Sequence, residues 1–427
     1  MKEELLVYVW RYKLFSNFDF KTVNNDVVEI LSFGTRNYDS GPDFFNAKIR
    51  IGNQLWAGNV EIHVNSSDWI KHKHQNDKAY NNVILHVVFN HDNDIEVQGT
   101  ILPVLELKNY ISESVINSYN YLTQPSKSFL HCANTNCLNH DFEFDNWIES
   151  IFIKRIEQKL ENINNQLSIS ATHWEQVLFR TIARSFGLKL NGDAFANFSS
   201  SFDYKILQSI ASDKSSVEAL FFGQSGFLEE DFSDEYFLSL KTEYAFLKNK
   251  YSLVPINNSQ FKFFRTRPAN FPTIRLAQLA SVYSSHPDLF SKIINSKSVD
   301  EIKSYFDVEV NIFWKTHYNF KLVSKESNRF LTDKFIELII LNSIIPIRFA
   351  YFKSISDFDK VEESIVLAEQ LKKESNSIIL EFEKQGWKLN NAKESQALLY
   401  LKKEYCDKNL CLDCLIGKRV LSRTEQH

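Results

Sequence analysis

GPDFFNAKIRIGNQLWAGNVEIHVNSSDW, residues 41–69, reads as two strands joined by a tight turn. Phe45–Ile51 and Gln54–Val64 have strand composition, and Gly52-Asn53 between them is hairpin chemistry. In the second strand, alternation sets Val60, Ile62 and Val64 on one face and Glu61 and His63 on the other. An apolar face backed by two metal-capable side chains is more than packing requires. Asp43 follows Gly41-Pro42, a turn able to present a carboxylate at the head of the first strand. Two carboxylates on adjacent strands suit a hard cation such as Mg²⁺ or Mn²⁺, which can orient a water and stabilise charge on a phosphate.

Upstream, residues 3–15 carry Leu5, Leu6, Val9, Trp10 and Leu14 at helical spacing behind Glu3 and Glu4, and Val27–Phe33 reads as a strand. Downstream, Ser66-Ser67-Asp68 offers N-cap chemistry for a helix over 68–80. Val83–Phe89 is a continuous run rich in β-branched residues, as expected of a central strand covered on both faces, and Ile95–Val97 and Ile101–Leu107 complete the sheet. The predicted class is α+β: an αβββαβ domain over 1–125, a mainly helical region over 126–400 and a cysteine-bearing tail over 401–427. Phe144–Leu167, Trp174–Gly187, Phe335–Lys353 and Lys360–Gln385 carry the helical period.

Pro42-Asp43 followed by Glu61-Ile62-His63, in this element order, resembles the PD-(D/E)XK signature of nucleases and restriction endonucleases. That resemblance implies a metal-dependent phosphodiesterase or nuclease-like protein acting on DNA or RNA. Asp43, Glu61 and His63 would be catalytic, with Mg or Mn held by Asp43 and Glu61. Glu4 matches an acidic ligand that some members carry in the first helix. His63 stands where the family has lysine, and an imidazole need not be cationic at neutral pH. The alternatives are therefore a catalytically degenerate fold that binds nucleic acid as a module, or a helical interaction scaffold without catalysis. The whole chain resembles a bacterial family, the domain of unknown function 2851, through Gly41–Phe44, Gly58–His63, Asp68-Trp69, His72–His74, Asp77–Tyr80, Val83–Val88, Arg267–Arg275 and the cysteine tail.

Other side chains extend the chemistry. Lys71, His74 and Lys78 would share one face of the predicted 68–80 helix and form a basic edge for phosphate. A zinc hydrolase built on His63, His72 or His74 is the rival reading, while His86 and His91 read as structural. Cys406, Cys411 and Cys414 are close enough to chelate one zinc ion or an iron–sulfur cluster, with Cys132, Cys137, His131 or His140 as fourth ligand. Arg265 and Arg267, interleaved with phenylalanines, suit single-stranded nucleic acid, although the same residues read more readily as a core loop whose arginines are solvated or paired with acids.

Composition sets the outer bounds. The 427 residues include 36 phenylalanines and 17 tyrosines against 11 glycines and 8 prolines, which points to long elements packed by rings. A formal net charge of -4 excludes coating of nucleic acid through bulk charge but leaves room for a local basic surface. MKEELLVYVWRYKLF lacks the basic start of a signal peptide, and the apolar run Phe335–Ile347 reads as too short and polar to span a bilayer. The expectation is a cytoplasmic protein with nucleic acid as partner and no membrane.

Overall fold

The protein is described by a computed structural model that covers residues 2–124, 128–133, 141–170 and 173–422. It is a mixed α+β chain with an N-terminal sheet region followed by a mainly helical region. Two compact units result, Met1–Phe144 together with Leu401–His427, and Asp145–Tyr400.

In the first unit, α1 (Glu3–Tyr12) buries Leu5, Leu6, Val9 and Trp10 and packs against β4. It stops at Tyr12, short of the predicted residue 15, because Lys13 turns left-handed at φ 57° and its amide closes back on the last turn. Then come β1 (Val28–Ser32), β2 (Thr35–Arg36), β3 (Phe44–Ile51), β4 (Gln54–Asn65), β5 (Val83–Asn90), β6 (Glu96–Val97), β7 (Thr100–Ile101) and β8 (Val104–Glu106). The sheet order is β1-β3-β4-β5-β8, with β2 added to β3. The β1, β3 and β4 strands are antiparallel, whereas β5 and β8 run parallel to β4. Residues 95–107 split, since β6 and β7 form a separate two-stranded hairpin and only β8 joins the sheet.

The predicted helix over 68–80 does not form. A single turn, α2 (Asp68–Lys71), is followed by 3₁₀ turns at His74–Asn76 and Lys78–Asn82. Lys73 at φ 63° breaks the helical path, and the Asp77 side chain accepts from Ala79 N–H to start the last turn. This irregular segment brings Trp69 and Tyr80 into a buried cluster with Val83, Ile95 and Leu102. Parallel pairing also explains Gly58: a Cβ there would lie 2.4 Å from Ile84 Cγ2 and 2.6 Å from the Asn82 carbonyl.

The second unit is helical and packed by rings. Phe179, Phe198 and Phe221 approach one another with centroids 5.1–6.5 Å apart, which accounts for much of the phenylalanine usage. Residues 360–385 form two helices, Phe358–Glu369 and Ser377–Lys384, because Asn376 caps the second through Ile378 and Ile379 N–H. Asp333–Ser354 is one continuous rod of 22 residues, longer than its apolar core suggested. By length and composition it could cross a membrane, yet 78% of its apolar window is buried within the unit, as in a core helix. Its middle turn, Ile340–Ile344, is a π-helix. Pro346 has no N–H to offer the Asn342 carbonyl, which instead lies 3.4 Å from Lys159 Nζ.

Gly58→Ala is expected to lower stability by about 1–3 kcal/mol, the usual cost of overpacking. A urea midpoint unchanged from wild type would show that β4 and β5 can separate to admit a methyl group.

Candidate metal centre

Asp43 ends the loop before β3, and the loop is shaped by Asn37, whose amide donates to the Asp39, Ser40 and Pro42 carbonyls. At this end the β3–β4 register slips, with Phe44 opposite Val60 but Ala47 opposite Gly58, and Asn46 turns left-handed at φ 59°. Side chains bridge the slip. Asp43 N–H donates to Glu61 Oε2 at 3.0 Å, and Ile62 N–H donates to Asp43 Oδ2 at 3.0 Å. Arg36 on β2 pairs with Asp43 Oδ1. The carboxylates of Asp43 and Glu61 are thereby locked beside each other, as the hairpin reading required.

Glu61 and His63 share a face of β4, and His86 on β5 lies in register with Glu61. That face is covered, leaving Glu61 5%, His63 1% and His86 0% exposed. The cover is the irregular segment after β4, which also delivers His72 and His74. The ligating nitrogens of His63, His72 and His74 all lie within 4.8 Å of one another. Glu61 Oε1 is 3.3 Å from His74 Nε2 and 3.6 Å from His63 Nε2, and His63 Nε2 is 3.1 Å from His72 Nδ1. The buried His74 Nε2 has no hydrogen-bond partner among the described residues. Two ligands at about 2.1 Å from one tetrahedral ion sit about 3.4 Å apart, so these spacings suit atoms facing a common cation. His63 Nδ1 meets His86 Nε2 at 2.9 Å. A proton on His63 Nδ1 donated to His86 would leave the Nε2 lone pair aimed at the cluster, the usual support for a metal-binding imidazole.

The electrostatics match a site short of positive charge. Burial, then the neighbouring Asp43, pushes the Glu61 carboxyl up to about 9. Asp43 is also raised, burial outweighing the help of Arg36. Burial, then His86, His74 and His72, pushes His63 down to about 2, and burial holds His86 near 3. His74 is lowered for the same reason. The imidazoles of His63, His74 and His86 are thus neutral lone-pair donors, and the carboxyls need a cation to ionise fully.

Residues 3–377 match the model of the family described as "Protein of unknown function (DUF2851)". The chain belongs to that family. Neither the curated proteins nor the solved structures contain a match to it. The matched span includes every residue of the imidazole and carboxylate cluster and stops before Cys406, so the cysteine tail lies outside it.

Not every predicted residue reaches the cluster. Glu4 is exposed, and its charge acts on Tyr119. Glu3 is the acid of α1 that faces the centre, its carboxyl pushed up to about 7 by burial, then by Asp43 and Glu61. The helical period signals this, because Glu3 lies three residues before Leu6 and seven before Trp10 on the buried stripe. Lys71, His74 and Lys78 form no common edge, since the helix that would align them is broken. Lys71 is exposed and paired with Asp68 at 2.5 Å, Lys78 is exposed, and His74 turns inward. His86 and Arg36 support the centre without any motif to announce them. In the second unit Arg265 and Arg267 are exposed beside the exposed Phe264, while Arg275 is buried and bonded to Asn270 and Gln278. Cys132, Cys406, Cys411 and Cys414 belong to the first unit, and Cys137 and His140 lie outside the described residues.

Because Glu61 is protonated at neutral pH and the buried imidazoles are not, binding of Mn²⁺ is expected to release at least one proton per ion at pH 7. Affinity should rise with pH until about 9, where Glu61 ionises unaided. Calorimetry in two buffers of different ionisation enthalpy measures the release, and a value of zero would show that Glu61 is no ligand.

Proposed function

We propose that the protein is a metal-dependent phosphodiesterase of the PD-(D/E)XK nuclease type, acting on DNA or RNA. The observation that carries this reading is the approach of Glu61 Oε1 to two imidazole nitrogens without a hydrogen bond to His74, beside the interlocked Asp43. The order of helix, three main strands, irregular helical segment and parallel strand, with Pro42-Asp43 and Glu61-Ile62-His63 in place, supports the same assignment. The donor set fits a divalent ion. Three imidazoles favour Mn²⁺ or Zn²⁺ over Mg²⁺, which prefers oxygen. Glu61, His63, His72 and His74 would hold the ion, with Asp43 beside them.

A bound ion would supply Lewis acidity to a phosphate oxygen and a lowered pKa to water. The protein's own groups do the rest. Arg36 balances the Asp43 charge, and His86 fixes the tautomer of His63. Glu3, with its carboxyl near 7, is placed to accept or return a proton at neutral pH.

Purified protein is expected to cleave plasmid, single-stranded DNA or RNA when supplied with Mn²⁺ or Zn²⁺. Glu61→Gln and Asp43→Asn should each cost about 100-fold or more in rate, beyond the usual effect of losing a supporting group. Glu3→Gln should slow cleavage while Glu4→Gln leaves it unchanged, and the reverse order would move the acidic ligand back to Glu4. A second reading rests on His63 itself, which is neutral and buried where the nuclease signature has a cationic lysine. Binding that weakens steeply with salt, without cleavage under Mg²⁺, Mn²⁺ or Zn²⁺, would make the fold a nucleic-acid-binding module.

A further inference from the structure

The first unit contains a second constellation, separate from the imidazole and carboxylate cluster. Cys132, Cys406, Cys411 and Cys414 all line one small cavity of about 20 Å³, together with His131, Leu122, Tyr405 and Leu410. Three of the thiols come from the C-terminal segment and the fourth from the turn after α3 (Glu113–Thr123).

The local backbone is built around these sulfurs. Lys402–Cys406 is a π-turn that ends on Cys406, and the chain reverses at Asn409, left-handed at φ 56°. Cys411 opens the 3₁₀ turn Cys411–Asp413, and Cys414 directly precedes the helix Leu415–Leu421. A Cβ at Gly417 would lie 1.8 Å from the Cys411 carbonyl oxygen, so only glycine lets the two turns close this tightly. The amides of Gly417 and Ile416 donate toward the Cys414 sulfur, the arrangement that supports thiolate ligands in metal knuckles. At the wall of the same cavity, His131 Nδ1 is buried without a hydrogen-bond partner among the described residues.

We propose that Cys132, Cys406, Cys411 and Cys414 hold a thiophilic metal centre through four thiolates, joining the C-terminal segment to the N-terminal unit. Apolar packing alone explains one buried cysteine, since the thiol is a small hydrophobe. It does not explain four from two distant segments lining one cavity, with amides directed at the Cys414 sulfur; among the described residues no three of these sulfurs lie within 4.8 Å of one another, so a bound cation would draw them together. Lys402, whose charge acts on Cys406, would offset part of the negative charge of a four-thiolate centre. Zinc and an iron–sulfur cluster share this ligand chemistry.

The full-length protein, purified without oxygen, is analysed for zinc, iron and acid-labile sulfide, and by X-ray absorption at the edge of the metal found. Zinc with sulfur neighbours at about 2.3 Å identifies a tetrahedral zinc centre. Iron and sulfide in equal amounts, with visible absorbance that bleaches on reduction, identify a cluster. Both outcomes support the proposal, and they separate its two forms. Ions at the imidazole cluster would show nitrogen and oxygen neighbours instead, so the centre can fail while the phosphodiesterase reading stands, and conversely. Cys411→Ser and Cys414→Ser should each lose the sulfur-bound metal; because the wild-type spectrum is itself decisive, a variant that fails to fold does not blunt the test. Absence of any sulfur-bound metal, as isolated and after anaerobic reconstitution with Zn²⁺ or with Fe²⁺ and sulfide, would overturn the proposal.

Discussion

The first unit depends on a reciprocal pair of hydrogen bonds across a gap in its sheet. Where β3 and β4 lose register, the Asp43 amide holds the Glu61 carboxylate and the Asp43 carboxylate holds the Ile62 amide. Each acid thus satisfies a backbone donor that the slipped ladder has left without a strand partner. The same two bonds fix both carboxylates in place, so sheet continuity and site geometry cannot be altered separately. Arg36 completes the arrangement from the neighbouring strand by pairing with the Asp43 carboxylate, whose charge burial would otherwise make costly.

The second constraint is the cover over the polar face of β4. A regular helix after Asp68 would have carried His74 outward on a basic edge. Instead the chain breaks at Lys73, and Trp69 and Tyr80 pack down, with the Tyr80 ring stacked on His74 at 3.8 Å. This closure removes water from Glu61, His63 and His86 and shifts their protonation in opposite directions: carboxyls up, imidazoles down. A group of neutral lone pairs facing a proton-bearing acid is a poor salt-bridge network, and it is this donor chemistry that the proposed metal reading uses. Closure of the cover and chemistry of the site therefore share one cause.

Strands β3, β4 and β5 were legible because alternation and β-branched runs depend on residues a few positions apart. The Glu61 and His63 pair on one strand face follows from period two alone. The helix over 68–80 misled because Ser67, Asp68 and the spacing of Lys71, His74 and Lys78 satisfy helical rules, while the left-handed turn at Lys73 carries no glycine to mark it. Glu3 and Glu4 differ in their place on α1, Glu3 partly buried and Glu4 exposed. The register of the buried stripe of α1 already favoured Glu3, since Leu6 and Trp10 lie three and seven residues beyond it.

The sequence by itself determined the α+β class, the hairpin that brings Asp43 to Glu61, the helical character of the second unit and the clustering of three C-terminal cysteines. Each is a matter of local period, turn chemistry or short spacing, and such signals need no knowledge of distant contacts. Only the tertiary structure decided that His72 and His74 meet His63, with His74 and His86 beside Glu61, that Arg36 pairs with Asp43, and that Cys132 lines one cavity with Cys406, Cys411 and Cys414. These meetings join segments with no common periodicity. They are set by parallel pairing of β4 with β5 and by burial of Trp69, Tyr80 and Leu412, which are properties of the packed chain rather than of any stretch of it.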